Sequence, residues 1–272
     1  MTQSRMVDQL YLRDEQYKDA TNLDARIQLH ERFSTNRYDW HRWVFDQFNL
    51  PSECRLLELG CGPGDLWLKN RSHFLEGWSV VLSDFSPGML QVAKQNLAPS
   101  GQPFVFSVID AQALPYAEAS LDVIVANHML YHVPDRQRAL AEIQRVLKPG
   151  GRLYAATNGR QHMWQLTELR RMFSDQTGTA EGETSTSGAG RFDLENGSEQ
   201  LVAWFADVTV RHYEDALVVT EVEPLLAYII SGIRYAVASD KVSQLRMVLE
   251  QEMAANGAIH IDKDVGLFEA IR

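Results

Sequence analysis

The chain has 272 residues, of which 45% are hydrophobic and 23% charged, with a formal net charge of −10. This is ordinary globular composition, enough for one large domain or one domain carrying a lid. The acidic balance and the lack of a Lys/Arg cluster argue against nucleic acid as a partner, and no apolar run approaches a membrane span.

Residues 1–50 read as a helix-rich, aromatic N-terminal lid. Asn22 caps a helix through Leu23 to His30. Trp40, Trp43, Val44 and Phe48 fall at i, i+3, i+4 and i+8, one helical face that reads as core. Met1-Thr2-Gln3-Ser4-Arg5 has no apolar segment behind it, so no signal peptide is expected. Cys54 and Cys61 are not spaced as C-x-x-C, and a reduced, cytoplasmic setting is the expectation.

From residue 55 to 157 strands and helices alternate. Strands are expected at Arg55–Leu59, Trp78–Asp84, Phe104–Asp110, Leu121–Ala126 and Arg152–Thr157. Ser86 caps a helix with Pro87 at its first position. A second helix runs from Asp135 through Leu147 and stops at Pro149-Gly150-Gly151. This order implies a parallel sheet covered on both faces, with ligands bound outside the strand C-termini.

Residues 160–173 look helical, and the Gly/Ser/Thr-rich run from Ser174 to Gly190 reads as a loop. A helix at 194–206, a strand at Val208–Glu214 and two striped helices within 222–255 follow, before a final strand at Val265–Ile271. The predicted architecture is α/β: a seven-stranded, mostly parallel sheet with helices on both faces. Its core comprises residues 51–221 and 256–272, and 222–255 form a helical cap insertion.

The chemistry gathers at the strand ends. Leu56 to Leu59 lead into Gly60-Cys61-Gly62-Pro63-Gly64-Asp65, a strand closing in a loop whose glycines admit positive φ and close approach of a ligand to the backbone. Asp84 stands roughly 20 residues later, where nucleotide-binding folds place an acid for ribose hydroxyls. Asp110-Ala111-Gln112 end the third strand, where polar groups could meet an adenine edge. A dinucleotide is the rival ligand. Its fingerprint requires a third glycine where Asp65 stands, and an acid at that helix start repels a pyrophosphate. The loop therefore suits a ribonucleoside without phosphates.

Glu58-Leu59-Gly60-Cys61-Gly62-Pro63-Gly64, Asp84-Phe85-Ser86-Pro87-Gly88-Met89-Leu90, Asp110-Ala111-Gln112 and Leu147-Lys148-Pro149-Gly150-Gly151 together resemble the class I S-adenosylmethionine-dependent methyltransferases. The likeness is to their small-molecule, ubiquinone/menaquinone-biosynthesis branch, and it spans about residues 50–160. It implies S-adenosylmethionine as cofactor and S-adenosylhomocysteine as product. Glu58 would sit near the methionine amino end, and Gly60 and Gly62, with Cys61 between them, would line methionine and ribose. Asp84 would hold the ribose diol, Phe85 and Met89 would pack on adenine, and Asp110 and Ala111 would meet its edge. Asn127 would touch the cofactor through its main chain.

Asn127-His128-Met129-Leu130-Tyr131-His132 follow the fourth strand, where such enzymes place the acceptor. His132 is a candidate general base, with a packing role as its alternative. His128 and Tyr131 are candidates for acceptor contact, as are Tyr11 and Tyr17 in the lid. Tyr17 is also a candidate catalytic group. Arg26 could pair with the cofactor carboxylate. No metal-ligand cluster is expected. The expected reaction is methyl transfer to nitrogen, oxygen or carbon of a natural-product or quinone-like small molecule. Two alternatives stay open: a cofactor-binding protein without methyl transfer, and a protein or RNA methyltransferase.

Overall fold

The computed structural model describes residues 28–174, 191–231 and 239–272. Tyr11, Tyr17, Asn22, Arg26 and the run 175–190 lie outside the described residues. The first long element, α1 (Trp40–Asp46), is capped by Asp39, whose carboxylate accepts the His41 and Arg42 N–H groups.

The central sheet contains β1 (Cys54–Leu59), β2 (Trp78–Asp84), β3 (Val105–Val108), β4 (Leu121–Asn127), β5 (Leu147–Asn158), β6 (Asp207–His212) and the last strand, β9 (Val265–Ile271). Its order is β3-β2-β1-β4-β5-β9-β6. β1 to β5 pair in parallel, whereas β9 runs antiparallel to both β5 and β6. The C-termini of the other strands and the N-terminus of β9 therefore meet at one sheet edge. Between the strands run α2 (Asp65–Lys69), α3 (Pro87–Leu97) and α4 (Arg136–Val146). Ser86 Oγ accepts the Met89 N–H, the cap expected for α3.

Strand alternation divides the core. Leu57, Leu59, Ile124, Ala126 and Phe268 pack on one face, and Leu56, Val80, Leu82, Val125 and Leu267 on the other. A third apolar cluster joins residues 28–33 to α5 (Trp164–Ser174), α7 (Val222–Ser231) and α8 (Ser239–Asn256), with Leu217, Leu225, Leu249 and Ile261 among its buried members. That cluster also contains β7 (Ala216–Val219) and β8 (Ile259–Asp262), an antiparallel pair that the sequence reading did not predict. Among the described residues, no helix is long and apolar enough to cross a membrane.

Several boundaries differ from expectation for local reasons. β3 spans four residues rather than seven; it is an edge strand, and Asp110 Oδ1 turns the chain just beyond it by accepting the Gln112 N–H at 2.9 Å. α6 (Gly197–Val202) is shorter than 194–206 because Asp193 and Asn196 accept each other's backbone N–H groups and hold the preceding turn. β6 ends at His212 rather than Glu214, as the chain leaves for β7. β5 begins at Leu147, pairing with Leu121 before a register shift, and Gly150 lies at φ +77°.

Ile124 is fully buried in β4, between β1 and β5. Ile124→Ala is expected to cost roughly 2–5 kcal/mol of unfolding free energy in urea titration. A loss under about 1 kcal/mol would show that this strand is not the centre of the core.

Candidate active site

β1 delivers a carboxyl group into the interior. Glu58 alternates with Leu57 and Leu59 and so falls on the Leu56 face, where Trp67 of α2 covers it. Only 2% of the residue is exposed, and Trp67 Nε1 donates to Glu58 Oε2 at 2.7 Å. Burial pushes its pKa up to about 8, and the nearby Asp84 and Asp65 carboxylates act in the same direction. The Asn127 amide, at the end of β4, lies beside this carboxyl. Both its Nδ2 and its Oδ1 are buried and form no hydrogen bond of ordinary geometry, and the amide's approach to Glu58 favours the ionised carboxyl; native interiors rarely leave such an amide so weakly paired.

The loop after β1 is held tightly. Cys61 N–H donates to Ser83 O at 2.8 Å, and Gly64 N–H to Cys61 O at 3.0 Å. Gly60 has φ +69°, and a Cβ there would lie 2.7 Å from Met129 Cβ, so the loop after β4 can close on it only because it is glycine. Gly64 (φ +86°) is packed the same way against Leu97 of α3, where a Cβ would come within 2.9 Å of Leu97 Cδ1. Burial raises the Cys61 thiol well above its ordinary range, consistent with a filler between glycines.

Asp84 ends β2. Its Oδ2 accepts Gly62 N–H at 3.0 Å and its Oδ1 accepts Ser86 N–H at 2.8 Å. Each oxygen keeps a further lone pair for a hydroxyl. Burial raises this carboxyl, while the backbone N–H groups partly offset the shift. Asp110 accepts from the Gln112 side chain at 3.0 Å, and Gln112 Oε1 accepts the Asp135 N–H. Gln112 thus ties the third strand's end to the start of α4.

These groups surround one cavity of about 850 Å³. Glu58, Gly60, Cys61, Gly62, Asp84, Phe85, Met89, Asp110, Ala111 and Asn127 all line it, as do His128, Tyr131 and His132. Phe85, Met89, Ile109, Ala111 and Val133 contribute apolar side chains to the lining. The cavity's carboxylates, Glu31, Asp39, Glu58, Asp65, Asp84 and Asp110, outnumber its cations, Arg37, Lys69 and Lys263. Asp65 is raised by burial, and His41 and Lys69 face it. Among the described residues, no group of three or more His, Cys, Asp or Glu could hold a metal.

His128 leaves the sheet with φ +53°, uncommon for a residue with a Cβ. Its N–H donates to Ala156 O at 3.1 Å, and its ring lies 5.4 Å from Trp40. Burial pushes this imidazole down to about 4, and the charges of His41, Lys263 and His132 act in the same direction. His132 lies in a helical turn, Leu130–His132, with its ring edge-on to Tyr131 at 4.5 Å.

Trp40 packs against the core as expected and also lines the cavity, stacked on Trp43 at 5.4 Å and edge-on to Tyr213 at 5.2 Å. His30, His41, Asn158, His162, Tyr213, Tyr228 and Lys263 also line it and were not anticipated. The available signal was histidine: five of the chain's eight, at positions 30, 41, 128, 132 and 162, face this space.

The donor set fits a cationic ribonucleoside. Asp84 suits a vicinal diol, the apolar part of the lining suits a purine, and Glu58 with the weakly paired Asn127 amide suits an α-amino acid end. Residues 57–155 match the methyltransferase-domain family. The chain is 32% identical over 155 residues to a ubiquinone/menaquinone biosynthesis C-methyltransferase of Pectobacterium carotovorum, covering 56% of this chain and 62% of that relative's length. Its fold matches the phosphoethanolamine N-methyltransferase 2 of Haemonchus contortus in complex with S-adenosyl-L-methionine at TM-score 0.59 and 20% identity, covering 100% of this chain and 60% of the other. It also matches the [4+2]-cyclase SpnF at TM-score 0.55 and 21% identity, covering 88% and 85%. One fold thus serves more than one reaction.

The unfolded chain releases the Glu58 proton near 4.5 and the folded chain near 8. The unfolded state therefore binds fewer protons in that window, and stability falls as pH rises through it. Asp84 adds to the loss in the same direction. Glu58→Gln should flatten the upper part of this decline in urea titrations between pH 5 and about 8. An unchanged slope would show that the carboxyl is ionised in the folded protein.

Proposed function

We propose that this chain, whose residues 57–155 match the methyltransferase-domain family and which is similar to a quinone C-methyltransferase over 56% of its length, is a class I S-adenosylmethionine-dependent methyltransferase that transfers a methyl group from S-adenosylmethionine to a small aromatic or quinone-like acceptor. The observation that carries the reading is the buried Glu58 carboxyl with the weakly paired Asn127 amide beside it, in the same cavity as Asp84 and Asp110. In this reading Glu58 and Asn127 receive the ligand's ammonium group, and Gly60 to Gly62 receive its methionine and ribose. Asp84 accepts from the ribose diol, Phe85 and Met89 flank the adenine, and Asp110 and Ala111 meet its edge.

Bound there, the cofactor would supply an electrophilic sulfonium methyl for the acceptor's electron pair, with sulfur as the leaving group. The chain's part is to align the acceptor and exclude water. His128, held neutral down to about 4, is a poor base at neutral pH. We assign the acceptor's proton to His132, which lines the same space, and contact with the acceptor to His128 and Tyr131. Tyr11 and Tyr17 remain lid candidates for acceptor contact. The domain division expected from the sequence is a lid at 1–50, a binding core at 51–221 with 256–272, and a cap at 222–255; β7 and β8, at the borders of that core, pack with the cap helices. The acidic lining supports a cationic cofactor and weighs against RNA as acceptor.

Asp84→Ala is expected to weaken S-adenosylhomocysteine binding roughly 10–100-fold in calorimetry, since hydrogen bonds to a charged group are lost. Unchanged affinity would remove Asp84 from the ribose site. His132→Ala should lower single-turnover methyl transfer at least about 100-fold, with cofactor affinity kept. A rate within about threefold of wild type would show that His132 only packs.

A further inference from the structure

The cavity has a second polar pole, built where two turns cross. Gly159 N–H donates to Asp264 O at 2.9 Å, Met163 N–H to Asp262 O at 2.9 Å, and Asp264 N–H to His162 Nδ1 at 3.1 Å. A Cβ on Gly159 would lie 1.6 Å from Asp264 Oδ2, so the crossing needs glycine there. The turn after β5 and the turn between β8 and β9 are thereby locked together. Each contributes one side chain to the cavity, His162 from the first and Lys263 from the second.

Their chemistry is complementary. A ring nitrogen that accepts a backbone N–H carries no proton, so neutral His162 holds its proton on Nε2. Burial keeps this imidazole well below its ordinary range, with the charges of His30, His128 and Lys263 acting in the same direction. His162 is therefore a fixed N–H donor and not a base. Lys263 pairs with Asp215. That carboxylate is held in turn by Ser34 Oγ at 2.9 Å and by the N–H groups of Asn36 and Ala216. An ammonium has three donors, so one carboxylate contact leaves others for a ligand. The Lys263 ammonium lies 5.8 Å from the Tyr213 ring centroid, Trp40 packs edge-on to Tyr213, and Tyr228 reaches Met163, next to His162 in the chain; all three rings line the cavity.

We propose that His162 and Lys263 form the oxygen-binding pole of the acceptor site, a neutral donor and a cation that receive the ionised oxygen of a phenolic acceptor. An amine acceptor would meet a like charge at Lys263 and a second donor at His162, whereas a phenolate satisfies both and packs against these rings. This role rests on the methyl-transfer reading, but binding of a phenolate does not require the cofactor.

The probe is 4-nitrophenol, whose ionised form absorbs visible light and whose neutral form does not. Mixed with the full-length protein, it should ionise with an apparent pKa lowered by about one unit or more, because a cation and a donor favour the charged form. His162→Met should abolish the shift, and His162→Gln, which keeps an acceptor and an N–H, should restore most of it. The double variant Lys263→Met/Asp215→Asn, which removes the buried pair together, should also abolish it, with thermal melts confirming folding. The proposal is overturned if the wild-type protein binds S-adenosylhomocysteine yet leaves 4-nitrophenol unshifted, or if the folded variants shift it as wild type does. Tighter competition by benzoate than by 4-nitrophenol would overturn the phenolate assignment in favour of a carboxylate. A phenolate shift in protein that binds no S-adenosylhomocysteine would refute the methyl-transfer reading and leave this pole standing.

Discussion

A carboxyl group buried at the end of an inner strand is costly, and the site is organised around offsetting that cost. Glu58 cannot face solvent, because strand alternation turns it toward Trp67. The indole N–H satisfies one oxygen, and the carboxyl keeps its proton up to about 8. A cation from outside would satisfy the carboxyl better than anything in the protein does. The glycines follow from the same demand for close approach, since Gly60 lets Met129 close over the loop that presents the ligand's backbone contacts.

The sheet topology then decides what else can reach that ligand. Parallel strands send Glu58, Asp84, Asp110 and Asn127 to one edge. β9, reversed, brings Lys263 to the same edge, and Tyr213 follows β6 there. The third apolar cluster stands over this edge as a small core of its own. Asp215 ties residues 34–36 to the turn before β8's partner strand β7, and so joins the N-terminal segment to that cluster. The second pole of the cavity, the proposed acceptor end, is thus assembled from distant parts of the chain.

That difference explains what was legible in the sequence. The proposed cofactor end depends on local patterns: an apolar run into Gly60 and Gly62, an acid closing the next strand, and Ser86-Pro87 opening a helix. Each has a short-range physical cause, and each is found where expected. The acceptor end depends on tertiary crossings. His162 and Lys263 lie about a hundred positions apart and meet through backbone hydrogen bonds that no spacing announces. Trp40 shares a helical stripe with Val44, which is fully buried, so periodicity alone could not show that it faces a cavity. β7 and β8 have four residues each, too few for alternation to stand out from the helices between them.

The central claim is that Glu58 is protonated in the free protein and ionises to receive a cationic cofactor. Calorimetry of S-adenosylhomocysteine binding near pH 7, in two buffers of different ionisation enthalpy, reads the protons released. Wild type should release close to about one proton per site, and Glu58→Gln almost none. Binding without proton release in the wild type, or with equal release in both proteins, would contradict the account.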